Sequence, residues 1–125
     1  MYGEEGDLVG DLVFDAKALL ERVEGDQELL RELLALFFQE YPKLLEEISR
    51  AMDYRQAVQV ERASHSLKSA LLNLSAKRAA EAAYQVEQAG RKVEFQEVAA
   101  AIPRLREELT LLHHAMERFL EMSPF

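Results

Sequence analysis

The chain has 125 residues, a formal net charge of −8 and no cysteine. Hydrophobic residues make up 49% and charged residues 30%, which is the balance of a folded globular protein with one core. The acidic balance argues against nucleic acid and anionic membrane surfaces as partners, and the lack of cysteine excludes disulfides and thiolate metal sites. No apolar run has the length of a membrane span, and the acidic start does not resemble a signal peptide, so we expect a cytoplasmic location.

The first quarter of the chain predicts a lead-in and a short helix. Residues 1–10 hold three glycines and are expected to be flexible, and residues 11–125 are expected to form a single domain. Apolar residues at helical spacing predict a short helix over residues 14–23. Gly25 and Asp26 then end this helix, and the Asp26 side chain is expected to cap the next one.

Two long helices are predicted next. The second covers about residues 27–49, and Pro42 is expected to bend it because proline removes one backbone donor. The third covers about residues 54–74. Both carry an apolar stripe of the width that a helix buries against a core.

The last two predicted helices complete the fold. The fourth covers about residues 76–89, has a small inner face that allows close packing on the third helix, and is expected to end at a Gly90 cap. The fifth covers about residues 95–121, with a kink expected at Pro103. Because the connections are short, the sequence predicts an all-α fold, an antiparallel up-down four-helix bundle with a short N-terminal helix.

A histidine stands on the outer face of the third helix. At ~100° per residue, His65 lies about 170° from the centre of the apolar stripe. We therefore expect its ring to point into solvent, unpaired, with Lys68 one turn on and Ser69 directly above it. An exposed imidazole beside a cation and a small residue suits a group that accepts a phosphoryl. The stripe consists of Val60, Ala63, Leu67, Ala70, Leu71 and Leu74.

The surroundings of His65 are locally basic. Between residues 55 and 78, Glu61 is the lone acidic residue against five basic ones. Two interpretations stay open, chance clustering on a solvated face and complementarity to an acidic partner. The candidate docking residues, which share or flank the His65 face, are Glu61, Arg62, Ser66 and Leu72.

The other titratable groups predict no further site. His113 and His114 are adjacent, so their side chains diverge by about 100° and cannot share a metal without outside ligands. We expect both on the flank or in solvent, and we expect no metal site. The sequence has no phosphate-binding loop and no nucleophile elbow, so ATP binding and autonomous catalysis have no support. Solvated faces are expected for the paired acids Glu46, Glu47, Glu107 and Glu108.

The run from His65 to Ala70 resembles the signature of histidine-containing phosphotransfer (HPt) domains. That signature is a histidine, any residue, leucine, lysine, then glycine and small residues, with an asparagine and a glycine-alanine turn downstream. Here the turn is Asn73-Leu74-Ser75-Ala76. The flanks resemble the family at the same distances, in Phe14-Asp15, Gly25-Asp26, Phe37 to Leu45 with Pro42, and Val86-Glu87.

The resemblance implies a histidine phosphotransfer module of a multistep phosphorelay, a stoichiometric phosphocarrier rather than an enzyme. His65 would take a phosphoryl group on its outer ring nitrogen from a receiver-domain aspartyl phosphate and pass it to another receiver aspartate. Lys68 would offset the phosphate charge. Ser69 replaces a family glycine but stays small and can donate a hydrogen bond to phosphate. Ser75 replaces the turn glycine, which costs roughly 1 kcal/mol if the turn needs a positive φ.

The implied partners are response-regulator receiver domains and a hybrid sensor histidine kinase. The chain is expected to be a monomer, either free-standing or excised from such a kinase. No cofactor is expected on it, because the receiver would supply the Mg²⁺.

Two alternatives stay open. One is the dimerisation and phosphoacceptor region of a sensor histidine kinase, although such regions usually follow the histidine with an acidic residue, a basic residue and a proline. Here Ser66 follows, and this chain has enough helices for a bundle alone. The other is an adaptor bundle that docks receivers without accepting phosphate, against which the presence of both His65 and Lys68 speaks.

Overall fold

The computed structural model describes residues 12–122, and five helices account for most of them. They are α1 (Ala16–Arg22), α2 (Gln27–Asp53), α3 (Ala57–Asn73), α4 (Lys77–Arg91) and α5 (Phe95–Met122). No strand occurs within this part of the chain, so the all-α prediction is confirmed. None of these helices is long and apolar enough to cross a membrane. The lead-in predicted for residues 1–10 lies outside the described residues.

Two predicted helix ends are wrong. α2 continues to Asp53, four residues past the predicted end, and α4 continues through Gly90 to Arg91. Gly90 is therefore an interior residue of α4 and not a cap. Pro42 and Pro103 both lie inside uninterrupted helices, and the bends expected there stay predictions.

The first two helices begin at aspartate caps. The Asp15 carboxylate accepts a hydrogen bond from the Ala18 amide at 3.0 Å, and Asp26 accepts one from the Leu29 amide at 3.0 Å. Each bond satisfies an amide that has no partner inside its own helix. The cap predicted at Asp26 is confirmed.

Four of the helices end in the same backbone motif. In each, an amide just past the end reaches back five residues to a carbonyl of the last turn, as Ala76 does to Leu71 at 2.9 Å. This turn needs a residue at positive φ, and at the end of α3 that residue is Ser75, with φ 61°. The condition for the predicted backbone strain at Ser75, a positive φ in the turn, is therefore met. Non-glycine residues at the equivalent ends of the other three helices are Glu24, Arg55 and Val93.

The core lies between the four long helices. α3 packs on α4, α4 on α5, and α2 on both α3 and α5, while α1 packs on α2. Close contact between α3 and α4 depends on small residues: a Cβ at Gly90 would come within 2.9 Å of Val60 Cγ1 and 3.1 Å of the Glu61 amide nitrogen. The tight packing predicted for these two helices is confirmed. Side chains that are fully buried include Leu30, Leu34, Ile48, Leu67, Leu71, Leu105, Leu112 and Met116.

The sequence placed one polar residue wrongly and gave no partner for a second. Glu108 is buried rather than solvated, and Arg78 Nη2 donates to its Oε2 at 3.0 Å. His113 is half-buried between α2 and α5, where its ring stacks on Phe38 and its Nδ1 lies 2.6 Å from the Tyr41 hydroxyl. In both cases a neighbouring helix supplies the partner.

Candidate functional site

His65 lies near the middle of α3 with its ring in solvent. Its side chain is 57% exposed, whereas Leu67 and Leu71 on the opposite side of the helix are fully buried. The exposed position predicted from the helical period is confirmed. The ring is thus open to a macromolecular partner while its backbone belongs to a rigid helix.

The prediction that the ring is unpaired is wrong. His65 Nδ1 lies 2.9 Å from Oε2 of Glu87, a residue of α4 whose side chain is only 2% exposed. The close approach of α3 and α4 brings this buried carboxylate to the base of the imidazole. In the sequence, Glu87 is noted only as part of a family pattern and is given no role.

The carboxylate decides which ring nitrogen carries the proton. Burial alone raises the pKa of Glu87, but hydrogen bonds from Lys68 and His65 and their charges outweigh it and hold that pKa below its usual range. An ionised carboxylate can only accept hydrogen bonds, so His65 Nδ1 must be the protonated nitrogen. The lone pair of a neutral ring is therefore on Nε2, the outer nitrogen.

Lys68 is bound by the same carboxylate. Its Nζ lies 2.9 Å from Glu87 Oε1 and 5.0 Å from the centroid of the Tyr84 ring, and its side chain is 20% exposed. Glu87 thus holds the histidine with one oxygen and the lysine with the other. The cation is therefore kept beside the imidazole, one turn further along α3, as the helical period predicts.

A second cation, Arg91, completes the group around Glu87. Its Nη2 lies 3.2 Å from Glu87 Oε2, and its Nε donates to Glu61 Oε2 at 2.8 Å. Glu61 is one of the predicted docking residues, and this arginine links it to α4. The signal for Arg91 in the sequence is weak, because its function depends on a contact between two helices.

The other predicted site residues lie around the ring. Arg62 and Ser66 are exposed and line an open groove of about 580 Å³ between α3 and α4 together with His65. Ser69 is half-buried one turn above the histidine. Leu72 is 45% exposed, seven residues after His65.

An apolar residue that the sequence analysis missed mirrors Leu72. Val58, which is 57% exposed, stands seven residues before His65 and also lines the groove. A spacing of seven returns nearly to the same side of a helix, so Val58, His65 and Leu72 form one line along α3. The even seven-residue spacing was visible in the sequence.

The basic character of the α3 region is offset by buried acids on its neighbours. Lys68 is paired with Glu87 of α4, and Arg78 with Glu108 of α5. Arg55 lies over the Phe95 ring, 5.3 Å from its centroid. Part of the local charge excess therefore serves packing between helices, which neither interpretation from the sequence includes.

Comparison with known proteins identifies the family. The Hpt domain family model matches residues 32–119, more than half of the chain, including the His65 region. The chain belongs to the Hpt domain family. It is a histidine phosphotransfer module of a phosphorelay, a phosphocarrier rather than a classical enzyme, and Hpt domains interact with receiver domains and kinases.

A solved structure shares the fold of this Hpt domain. The crystal structure of histidine-containing phosphotransfer protein B (HptB) from Pseudomonas aeruginosa PAO1 superposes with a TM-score of 0.82 at 20% sequence identity. The match covers 89% of this chain and 96% of that chain. A search of curated proteins gives no match.

Proposed function

We propose that His65 is the residue of this Hpt domain that accepts and donates the phosphoryl group. It would take the group on Nε2 from a receiver aspartyl phosphate and pass it to an aspartate of another receiver. The observation that supports this assignment is an exposed imidazole whose Nδ1–H is bound to the buried Glu87 carboxylate, which leaves Nε2 as the nucleophile.

The proposed reaction needs no proton transfer on this chain. The Nε2 lone pair attacks phosphorus, the P–O bond to the receiver aspartate breaks, and the aspartate leaves as a carboxylate. The ring then carries a positive charge with its proton still on Nδ1, and the Glu87 carboxylate 2.9 Å away stabilises that charge. In the reverse direction the imidazole leaves as a neutral ring.

Two neighbours would support the transferred phosphate. Lys68 would contribute a cation, because phosphoryl transfer depends mainly on positioning and on charge neutralisation. Ser69, the half-buried residue at the family's glycine position, would donate a hydroxyl hydrogen bond. Mg²⁺ would come from the receiver, so this chain would act as a stoichiometric carrier with no ATP site and no cofactor of its own.

The partners would dock on the His65 face of α3. We assign Arg62, Ser66 and Leu72 to the contact with response-regulator receivers and a hybrid sensor kinase, with Glu61 at its edge. We further propose a cytoplasmic monomer that binds no nucleic acid, and an antiparallel up-down arrangement of α2 to α5. Three-residue connections between these helices and the packing of α5 back onto α2 support that arrangement.

The two alternative functions have less support. A kinase dimerisation region forms its bundle from two helices per chain, whereas α2 to α5 pack on one another within this chain. An adaptor that accepts no phosphate would not need a free ring nitrogen beside a buried carboxylate and a lysine.

The test is phosphoryl transfer from phosphorylated receivers to this chain and to its His65→Gln variant. Acid-labile, base-stable label on the parent and none on the variant is the expected result. His114→Gln is the matched control, because His114 is also exposed, at 67%, but has no buried carboxylate. Label that persists on His65→Gln would contradict the assignment.

A further inference from the structure

Arg91 occupies a position that the proposed chemistry does not explain. It lies in the last turn of α4, and its side chain is 55% exposed, yet it binds two carboxylates at once. One of these is Glu61 on α3, and the other is the buried Glu87. An exposed arginine that binds one carboxylate across a helix interface and another on its own helix loses much of its rotamer freedom, and this entropy cost calls for an explanation.

The backbone places Arg91 where it can bridge the helices. The preceding residue, Gly90, lets α4 approach Val60 and the Glu61 amide more closely than any side chain would allow. At that point of closest approach, Arg91 Nε reaches Glu61 Oε2 at 2.8 Å. The hydrogen bond that Arg91 donates to Glu61, together with the charge of that carboxylate, raises the pKa of Arg91, so the arginine stays charged.

The bridge ends on the oxygen that binds the histidine. Glu87 Oε2 accepts from Arg91 Nη2 at 3.2 Å and from His65 Nδ1 at 2.9 Å, while Oε1 faces Lys68. With all three partners present, the carboxylate is held by donors from both α3 and α4. Without Arg91, Glu87 keeps its two donors on α3 but loses the donor that its own helix supplies to Oε2, so the carboxylate plane is free to turn towards Lys68.

We propose that Arg91, anchored by Glu61, is a positioning residue that fixes the Glu87 carboxylate and, through it, the orientation and tautomer of the His65 ring. The effect of Arg91 on the geometry of the His65 ring is independent of the proposed function. The effect of Arg91 on phosphoryl transfer rests on the proposed function. Arg91 acts through Glu87 and not on the phosphate itself. Glu61 accordingly supports the site from the edge of the docking face.

The tautomer is the readout that separates positioning from a general structural effect. In the parent chain with ¹⁵N-labelled histidine, the His65 ring is expected to be protonated on Nδ1 in its neutral form. In Arg91→Gln we expect a mixture of the two neutral tautomers, and in Arg91→Lys a smaller change, because lysine reaches one carboxylate but not both. Arg50→Gln is the matched control, since Arg50 is an exposed residue whose ion-pair partner within residues 12–122 is Glu46 on its own helix.

The rate is measured with phosphoramidate, a small phosphoryl donor that needs no receiver. Nε2 attacks its phosphorus, the P–N bond breaks, and ammonia leaves after taking a proton from water. We expect Arg91→Gln to accept phosphate about 10-fold more slowly than the parent, because a displaced ring makes fewer productive encounters. Failure of the parent to react would contradict the proposed function, but the tautomer measurement would still decide the role of Arg91.

Glu61→Gln is a second variant that tests the same proposal should Arg91→Gln fail to fold. This variant keeps the shape of the side chain and weakens only the anchor, so a smaller shift of the tautomer and a smaller loss of rate are expected. An unchanged His65 ring spectrum in both Arg91→Gln and Glu61→Gln would overturn the proposal.

Discussion

Two histidines of this protein, His65 and His113, share one contact and differ in the other. The Nδ1 atom of each forms a hydrogen bond with a side chain of a neighbouring helix, Glu87 at 2.9 Å for His65 and the Tyr41 hydroxyl at 2.6 Å for His113. They differ at the second nitrogen. The ring of His113 is 31% exposed, stacks on Phe38 and has its Nε2 3.3 Å from a glutamate, whereas the ring of His65 is 57% exposed and has no second partner within residues 12–122.

Under the proposed function, this difference separates a reactive imidazole from a structural one. A ring with both nitrogens engaged has no lone pair to offer, and its contacts tie α2 to α5. A ring bound at one nitrogen has a fixed orientation and still presents a nucleophile. The nature of the partner matters too. Burial and the nearby Glu117 carboxylate raise the pKa of Tyr41, so its hydroxyl stays protonated. Because the Glu117 carboxylate beside His113 Nε2 favours a proton on that nitrogen, Nδ1 is left to accept from the hydroxyl. At His65 the carboxylate accepts instead.

Removing the carboxylate at each histidine should give the largest contrast. Glu87→Ala removes the acceptor that orients His65, and we expect phosphoryl acceptance to fall roughly 100-fold, as displacement of a reacting group by about 1 Å does. Glu117→Ala makes the same change beside His113 and should leave the rate unchanged. Rates of labelling by a phosphorylated receiver measure both, and equal rates for the two variants would contradict the account.

The hydroxyl at the other histidine should affect stability alone. Tyr41→Phe removes the donor to His113 Nδ1 but keeps the ring that stacks on Phe37 at 4.9 Å. We expect the free energy of unfolding to fall by about 1 kcal/mol, the usual net value of such a bond. Urea denaturation measures this change, and the phosphorylation rate of His65 should match that of the parent. A slower rate would show that the two histidines are coupled.

The turn after α3 should respond least. Ser75 is held at φ 61°, and Ser75→Gly removes the strain that a side chain causes at this angle. We expect the free energy of unfolding to rise by roughly 1 kcal/mol, reduced by the additional backbone entropy that glycine loses on folding. Because this turn is ten residues from His65, phosphoryl acceptance should not change. Thermal unfolding measures the gain, and a loss of stability would mean that the Ser75 side chain makes a contact worth more than the strain.

The sequence was sufficient for what depends on local periodicity. The helices and the exposure of His65 follow from the spacing of apolar residues along one helix, and the Asp26 cap follows from an aspartate directly before such a helix. The partners of His65, Glu108 and His113 lie on other helices, and no pattern within one helix locates them. The same limit explains the wrong prediction of a cap at Gly90. Glycine suits both a helix cap and a close approach to a neighbouring helix, and only the packing on Val60 shows which of the two applies.

A signal for the buried carboxylate was nevertheless present. Glu87 lies four residues after Ala83 and three before Gly90, on the small face that α4 turns to its neighbours, where all three are buried. A lone glutamate on such a face needs a cationic or hydrogen-bonding partner, since burying an unpaired charge is costly. Glu108, three residues after Leu105, was marked in the same way. Which partner each would find depends on the packing of whole helices.

The most direct test of the account is to locate the phosphoryl group on the ring. The chain is phosphorylated from a receiver, and ³¹P and ¹⁵N NMR of histidine-labelled protein then identify the modified nitrogen. The account predicts a single phosphohistidine, at Nε2 of His65, with the proton retained on Nδ1. Phosphate on Nδ1, or on His113 or His114, would contradict it.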